Sequence, residues 1–437
     1  MNYLSNVFFA LVLIAGIGFF VMNVRKLIRN IKLGKDVDRS DNKGARWKNM
    51  TRVALGQSKM VSRPFAGVLH VIVYVGFVII NVEVLEIIID GLFGTHRVFQ
   101  PLLGNAIYGF LIGTFEILAA LVFIAVIAFW LRRNIGRLKR FMSKEMKGWA
   151  KNDGNYILYF EMVLMTLFIV MNAADHNFQE AGIGNPISQF VTPWFDGFSA
   201  EALHTIEMSA WWLHIVGILI FLNYLYYSKH LHILLAFPNT YYANLKPKGQ
   251  FNNLASVTSE VKMMMDPDAD PYAMPAEGAE DEVPEKFGAS DVTDLNWVQL
   301  LNSYTCTECG RCTSSCPANM TGKELSPRAI MMKTRDRLEE VGKNIDYNGG
   351  TFKDDGKQLL NDYITPEELW ACTSCNACVE ECPVDIDPLS IILEMRRYLV
   401  MEQSAAPQEL NMMMTNIENN GAPWQYSPMD RLNWKDE

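Results

Sequence analysis

Five apolar runs, near 4–23, 65–90, 106–131, 155–174 and 206–228, crowd the first 235 residues of the chain. Each approaches the roughly 20 apolar residues with which a helix crosses a bilayer, so the pattern predicts five transmembrane helices. After residue 235 the chain turns polar. Residues 266–294 hold ten Asp or Glu and four prolines, with Lys286 as their one cation, a composition that predicts an extended tether rather than a core element. Further on, SPRAIMMKTRDRLEEV and TPEELWACTSC carry helical patterning, opened by Ser326-Pro327 and Thr365-Pro366 in the order of an N-cap and a first-turn residue. The expected fold is mainly α, with a transmembrane bundle over 1–235, an acidic linker over 236–295, a helical domain over 296–400 and an extended tail over 401–437.

Charge orients the bundle. Twelve Lys or Arg follow the first run and eight follow the third, whereas only Arg97 lies between the second and third, and residues 175–205 have none. Basic loops stay on the cytoplasmic side. The N-terminus is therefore expected outside, with everything after the fifth run in the cytoplasm, as in a multi-pass protein of a bacterial inner membrane. The first run has no Lys or Arg ahead of it and several behind it, so it reads as an uncleaved anchor rather than a signal peptide. Membrane lipid is thus one partner. A net charge of -9, with no basic patch in the polar half, argues against a nucleic-acid partner. Gly16-Ile17-Gly18 and Gly182-Ile183-Gly184 lack the third glycine and the strand context of a dinucleotide fingerprint, which places any flavin or nicotinamide on another chain.

All eight cysteines lie in CTECGRCTSSCP (306–317) and CTSCNACVEECP (372–383). Both read Cys-x2-Cys-x2-Cys-x3-Cys-Pro, the spacing with which three thiolates wrap one 4Fe-4S cube while the fourth serves its neighbour. That rule predicts one cluster on Cys306, Cys309, Cys312 and Cys382, and a second on Cys372, Cys375, Cys378 and Cys316. Structural zinc sites pair two Cys-x2-Cys knuckles instead, and a cytoplasmic placement disfavours disulfides. The motifs start 66 residues apart, more than a minimal two-cluster ferredoxin needs, which again favours a helical domain.

All seven histidines precede the cysteines. His214 and His232, both assigned to the fifth helix, are eighteen residues apart, five helical turns and so one face. Neutral imidazole is a good axial ligand for haem iron, and ionisable groups inside a span are functional suspects. Topology puts His70 and His232 at the same membrane surface on different helices, which predicts that together they ligate one haem b. His230 lies behind that pair, and Arg63 and Lys229 stand where haem propionates would be met. A second, outer haem would rest on His214, beside the wall formed by Trp211 and Trp212, with His176 or His204 opposite. His176 is preferred, because His204 shares a helix with His214; His96 reads as a loop residue. Glu83, Glu86 and Asp90 punctuate the second run, and Glu116 and Glu161 occur in others. Carboxylates there are costly unless paired or hydrated. Glu83 and Glu86 are candidates for a quinone proton path, against the plainer reading of an interhelical hydrogen bond.

These residues carry a resemblance. The membrane half is similar to the cytochrome b subunit of respiratory nitrate reductase and to related chains of the heterodisulfide reductase type, through His70, His214 and the SKHLH run ending at His232. Where the nitrate reductase subunit has two histidines on its second span, this sequence has His70 alone. Residues 296–400 resemble the helical ferredoxin subunit of heterodisulfide reductase, with both cysteine motifs matched in full. The tail IENNGAPWQYSPMDRLNW looks like the junction that leads, in longer relatives, into a cysteine-rich CCG domain. The resemblance implies a five-helix transmembrane cytochrome b bundle followed by a helical dicluster ferredoxin domain, as in electron-transfer flavoprotein:menaquinone oxidoreductase-like proteins. It implies an electron-transfer subunit working between a cytoplasmic redox partner and menaquinone or another quinone. The partners it implies are a separate CCG-domain iron–sulfur subunit, lying along residues 405–437, and electron-transfer flavoprotein. Rival readings are a heterodisulfide or lactate-type oxidoreductase with the same wiring, and a non-redox anchor that docks a partner through its acidic strap.

Overall fold

The structure, a computed structural model, describes residues 3–267 and 286–436. Most of the acidic tether expected at 266–294 therefore lies outside the described residues. The five apolar runs fold as α1 (Tyr3–Ile31), α2 (Pro64–Phe93), α3 (Asn105–Asn134), α4 (Trp149–Ala174) and α5 (Ala200–Tyr224), all long and apolar enough to cross a membrane. Successive helices pack side by side, and α1 closes the ring against α5. Small residues permit the close approaches, as in other helix pairs that lack a hydrophobic driving force between them. Gly91 of α2 lies under the ring of Phe9 in α1, where an added Cβ would come within 2.6 Å of the ring. Tyr108, Ile112, Phe115, Phe168 and Ile215 fill the interior, while Phe110, Val163 and Leu213 face outward.

The fifth helix ends earlier than the apolar pattern indicated. It tightens into a 3₁₀ turn over Leu225–Tyr227 and breaks at Ser228 (φ -113°, ψ 147°), whose hydroxyl accepts the His230 N–H at 3.0 Å. A separate helix, α6 (His232–Tyr241), follows. His214 and His232 thus sit on different helices, so the single-face argument that joined them does not hold. A serine that offers its side chain to the backbone two residues on is a competitor of helix continuation, and that local choice outweighs the apolar run.

Residues 286–436 are helical as well, with α7 (Trp297–Thr305), α8 (Pro327–Tyr347), α9 (Pro388–Arg397) and α10 (Gln408–Asn420) as their longer elements, and a further helix, Ala255–Met265, lies within the expected linker. The two expected helix starts are present: Ser326 caps α8 through the Ala329 N–H, and Thr365 forms a capping box with Glu368. Residues 286–294 belong to this domain and not to a tether. Ala289 and Val292 are buried, and the fully buried Arg337 guanidinium is held by Asp291 at 2.8 Å and Asp355 at 2.6 Å. Carboxylates that look like solvated charge in the sequence are here the partners of a buried cation. The tail also differs from the extended course expected of it: α10 is helical, and none of its residues is buried.

The two halves share one core, in which Leu27, Phe221 and Leu231 meet Leu300, Tyr304 and Leu338. Around it the basic loops receive the acidic domain. Lys26 pairs with Asp346 at 3.2 Å, Lys59 with Asp385 at 2.7 Å, and the buried Arg328 with Glu145 at 2.7 Å. Asn239 of α6 donates to the Val384 carbonyl at 2.7 Å, so the start of the expected linker is part of this contact.

Candidate redox centres

The two cysteine motifs fold as the same loop twice. In each, the second residue after the first cysteine and the residue after the second cysteine adopt left-handed backbone: Glu308 (φ 53°) and Gly310 (φ 71°) in one, Ser374 (φ 56°) and Asn376 (φ 61°) in the other. Glycine and asparagine tolerate that region best. The turns aim backbone N–H groups at sulfur. Ser374 donates to Cys372 Sγ at 3.4 Å, Ile386 to Cys382 Sγ at 3.3 Å, and Glu308 to Cys306. Such bonds favour the anionic sulfur that a cluster requires and tune its potential.

The chain crosses over between the two loops. Cys382 lies within electrostatic reach of Cys306 and Cys309, and Cys312 of all three. Cys316 lies with Cys372 and Cys378, and Cys375 with Cys372. These neighbours resemble the crossed sets that the spacing predicts, although Cys312 also lies within electrostatic reach of Cys378. None of the eight is in a disulfide. Among the described residues no three of these sulfurs come within 4.8 Å of one another, whereas four thiolates on one zinc ion at 2.3 Å would stand about 3.8 Å apart. Burial pushes the Cys306 thiol up to about 11 and the Cys378 thiol up to about 12, so ligation is what would keep these sulfurs deprotonated near neutrality.

His70 and His232 face each other, with ring centres 6.4 Å apart. A metal–imidazole bond is about 2 Å, which places two imidazoles across one metal ion roughly 6 Å apart, centre to centre. His232 Nδ1 donates to the Lys229 carbonyl at 3.0 Å, the second bond that fixes a ligating ring and leaves Nε2 free. His70 Nδ1 is buried with no hydrogen-bond partner. Burial lowers the proton affinity of His232 and takes His230 down to about 3, with His232 and His70 adding to the effect on His230. Burial thus favours the neutral form of the His232 ring, the form that iron takes. His230 lies tilted against Phe221 at 5.4 Å and stands edge-on to His232. These residues fit a bis-imidazole haem; for such a group His70 and His232 would be the ligands and His230 a neighbour.

The two cations expected near propionates are engaged elsewhere. Arg63 pairs with Glu381 at 2.9 Å, next to Cys382. Lys229 is buried in an ion pair with Glu308, which also takes Arg335 at 2.8 Å. Burial opposes the Glu308 charge, but Lys229 and Arg335 hold its carboxyl below the usual range. Since Glu308 lies between Cys306 and Cys309, this triad ties the first cluster loop to the residue beside His230. Breaking a buried pair from one side costs about 3–5 kcal/mol. Glu308→Gln, which removes the carboxylate shared by Lys229 and Arg335, is expected to lower the thermal midpoint of the purified protein and to speed proteolysis between the halves.

The outer site is not assembled in the same way. His214 is buried with Nδ1 unpartnered, against Phe168 at 6.1 Å. His176 instead lies on the surface, paired with Glu180 at 3.1 Å, and His204 is exposed beside Glu207 at 3.4 Å. Neither ring is in contact with His214. Glu83 and Glu86 are both buried; Glu86 accepts from the Phe99 N–H at 2.9 Å and the Tyr108 hydroxyl at 3.1 Å.

Residues 305–386 match the family model of the 4Fe-4S dicluster domain. The chain is 28% identical to a probable iron–sulfur-binding oxidoreductase FadF of Bacillus subtilis, over 98% of this chain and 60% of that protein. It is 24% identical to an EtfAB:quinone oxidoreductase of Syntrophomonas wolfei, over 92% of this chain and 55% of that one. A probable membrane-anchored ferredoxin of Chromohalobacter salexigens is 31% identical over 35% of this chain and 25% of its own length. The chain thus spans somewhat more than half the length of the first two. No solved structure matches it. The chain carries a 4Fe-4S dicluster domain on a membrane bundle. The dicluster match and these likenesses support an iron–sulfur electron-transfer role for it.

Sequence reasoning missed the polar residues that join the two regions. Arg311 donates to the Lys59 carbonyl at 2.9 Å and lies within electrostatic reach of His70, Cys309 and Cys382 at once. Its position inside the first cysteine motif was the one available signal. Arg97, noticed in the sequence only as an exception to a charge bias, is buried among Tyr108, Asn172 and Asp175.

Proposed function

We propose that the chain relays electrons between a redox partner on the cluster side and the quinone pool, through two 4Fe-4S clusters and a haem b held by His70 and His232. The observation that carries this reading is the line of sites. The second cysteine set adjoins the first, and one guanidinium, Arg311, lies within reach of both the first set and His70. Haem, when bound, supplies one-electron exchange inside the bilayer, and His70 and His232 hold and orient it. The relative described as an EtfAB:quinone oxidoreductase supports electron-transfer flavoprotein as the donor and a quinone, such as menaquinone, as the acceptor. The basic loops support a cytoplasmic cluster domain and an outside N-terminus.

A CCG-type iron–sulfur subunit is the proposed neighbour along residues 405–437, where Met412, Ile417, Trp424 and Trp434 are exposed. Deleting residues 405–437 is expected to release that partner while clusters and haem remain; co-purification of every native partner with the truncated chain would count against it. The function itself is tested on the purified complex by iron, sulfide and haem analysis, followed by reduction with menadiol. Reduction of haem and clusters by the quinol supports the assignment, and a protein with zinc in place of iron, or without quinol-driven reduction, overturns it.

A further inference from the structure

A second polar centre lies at the end of the bundle away from the cluster domain. Glu83, Glu86, Asp90, Glu116 and Asp175 are buried there with one guanidinium, Arg97. The first three recur at i, i+3 and i+7 on α2 and so share a face, a ladder about 10 Å long that ends near the helix terminus. From α3 it meets Tyr108 and Glu116, from α4 Asn172 and Asp175, and from α5 Glu207 at the rim. One cation cannot neutralise five carboxylates where isolated charges are costly.

The members are unequally provided for. Asp90 accepts the N–H groups of Arg97 at 2.7 Å and Val98 at 3.2 Å. Glu116 accepts from Ile187 at 2.8 Å, Ser188 at 3.0 Å and the Asn172 side chain at 3.0 Å. Glu83 differs: it is 4% exposed, and its Oε2 is buried with no hydrogen-bond partner. It is the member least able to hold a charge. At the other end the network opens to the surface. Asp175 Oδ2, held by Arg97 Nε at 2.7 Å, lies 3.5 Å from His96 Nε2, which is 2.9 Å from Glu207 Oε1. Glu207 also faces His204 at 3.4 Å, and the His96 side chain is 58% exposed. The hydrogen bond to Glu207 raises the affinity of His96 for a proton against the effect of burial. With a guanidinium on Asp175, the trio of His96, Asp175 and Glu207 suits a proton better than a metal ion.

We infer that this ladder and its outlet form a proton relay between Glu83 in the bundle interior and the aqueous phase on the face opposite the cluster domain, where it serves quinone chemistry. Reduction of one quinone takes two electrons, delivered singly by the redox centres of the protein, and two protons, which arrive through the relay; quinol oxidation returns both by the same routes. Glu83, Glu86, Asp90, Asp175 and His96 pass the protons. Arg97 does not titrate and is a positioning residue. This inference rests on the quinone reading above.

Two measurements on the intact complex test it. Dicyclohexylcarbodiimide, which modifies protonated carboxyls in apolar surroundings, is expected to label Glu83, seen by peptide mass spectrometry and lost in Glu83→Gln. In proteoliposomes with the cluster domain outward, menadiol or menadione turnover is expected to change the pH of a dye trapped in the lumen. Glu83→Gln should cut that turnover at least tenfold while dithionite still reduces every centre, and His96→Gln should shift its pH profile. An unlabelled Glu83, or protons exchanged on the cluster-domain side at the wild-type rate in Glu83→Gln, overturns the relay and leaves the quinone assignment standing. Absence of any wild-type exchange with either quinone probe overturns the assignment and the relay together.

Discussion

His70→Ala and His232→Ala are each expected to abolish the same haem b while non-haem iron stays at about eight atoms per chain, the content of two four-iron cubes. The two rings come from different helices, α2 and the start of α6, yet stand 6.4 Å apart, so on the proposed ligation each variant would remove one of two ligands to the same iron. The Lys229 carbonyl fixes the His232 ring, and such outer partners typically change metal affinity by about 10–100-fold. Loss of the ligand itself should do more, leaving no low-spin haem in pyridine haemochrome or electron paramagnetic resonance spectra. His230→Ala should keep the haem and shift its midpoint potential, because a buried neutral ring 5.4 Å from His232 is replaced. His176→Ala should change neither, since that side chain is exposed and paired with Glu180. Full haem retention in either the His70 or the His232 variant would remove these residues as ligands.

The parts of this molecule that were legible in the sequence are those fixed by local rules. Five apolar runs give five helices because no other unit of that length satisfies its own backbone in lipid. Ser326-Pro327 and Thr365-Pro366 start helices because a cap and a first-turn proline need only their neighbours. The doubled cysteine motif, matched by the dicluster family model, needs only its own spacing to be read. What could not be read depends on contacts across the chain. The break at Ser228 sits inside an apolar stretch, so periodicity carried the fifth helix on to His232. Arg63 and Lys229 were assigned to propionates by their place at the membrane surface, yet carboxylates of the other domain, Glu381 and Glu308, occupy them. The same holds for the basic loops. Their cations count toward membrane orientation, but Lys26, Lys59 and Arg63 also dock an acidic domain. Charge bias thus has two physical causes in this chain, and the sequence cannot apportion them. Asp291 and Asp294 show the converse, since acidic composition placed them in a tether while Arg337 and Lys286 hold them in a folded domain.

The cysteine variants should sort into pairs that cross the two motifs. Cys382 belongs to the second motif by sequence, but it lies with Cys306, Cys309 and Cys312; Cys316 belongs to the first, but it lies with Cys372 and Cys378. Cys382→Ala is therefore expected to match Cys309→Ala, and Cys316→Ala to match Cys375→Ala. Each should fall from about eight non-haem iron atoms to about four, with one of two residual cluster spectra. The pairs should also differ in what remains connected. The first set adjoins Glu308, Arg311 and the histidine pair, so its loss should isolate the haem from any reductant entering at the cluster domain. Loss of the second set leaves the membrane-side cluster in place, and photoreduction or rapid mixing should still show haem and cluster exchanging electrons. Cys375 is the exposed member of its set and Cys382 a buried one, so Cys375→Ala should disturb the fold less, which makes the comparison of spectra, rather than of yields, the decisive reading. A residual spectrum of Cys382→Ala that matches Cys375→Ala would mean that each motif holds its own cube, and the crossed assignment would fall.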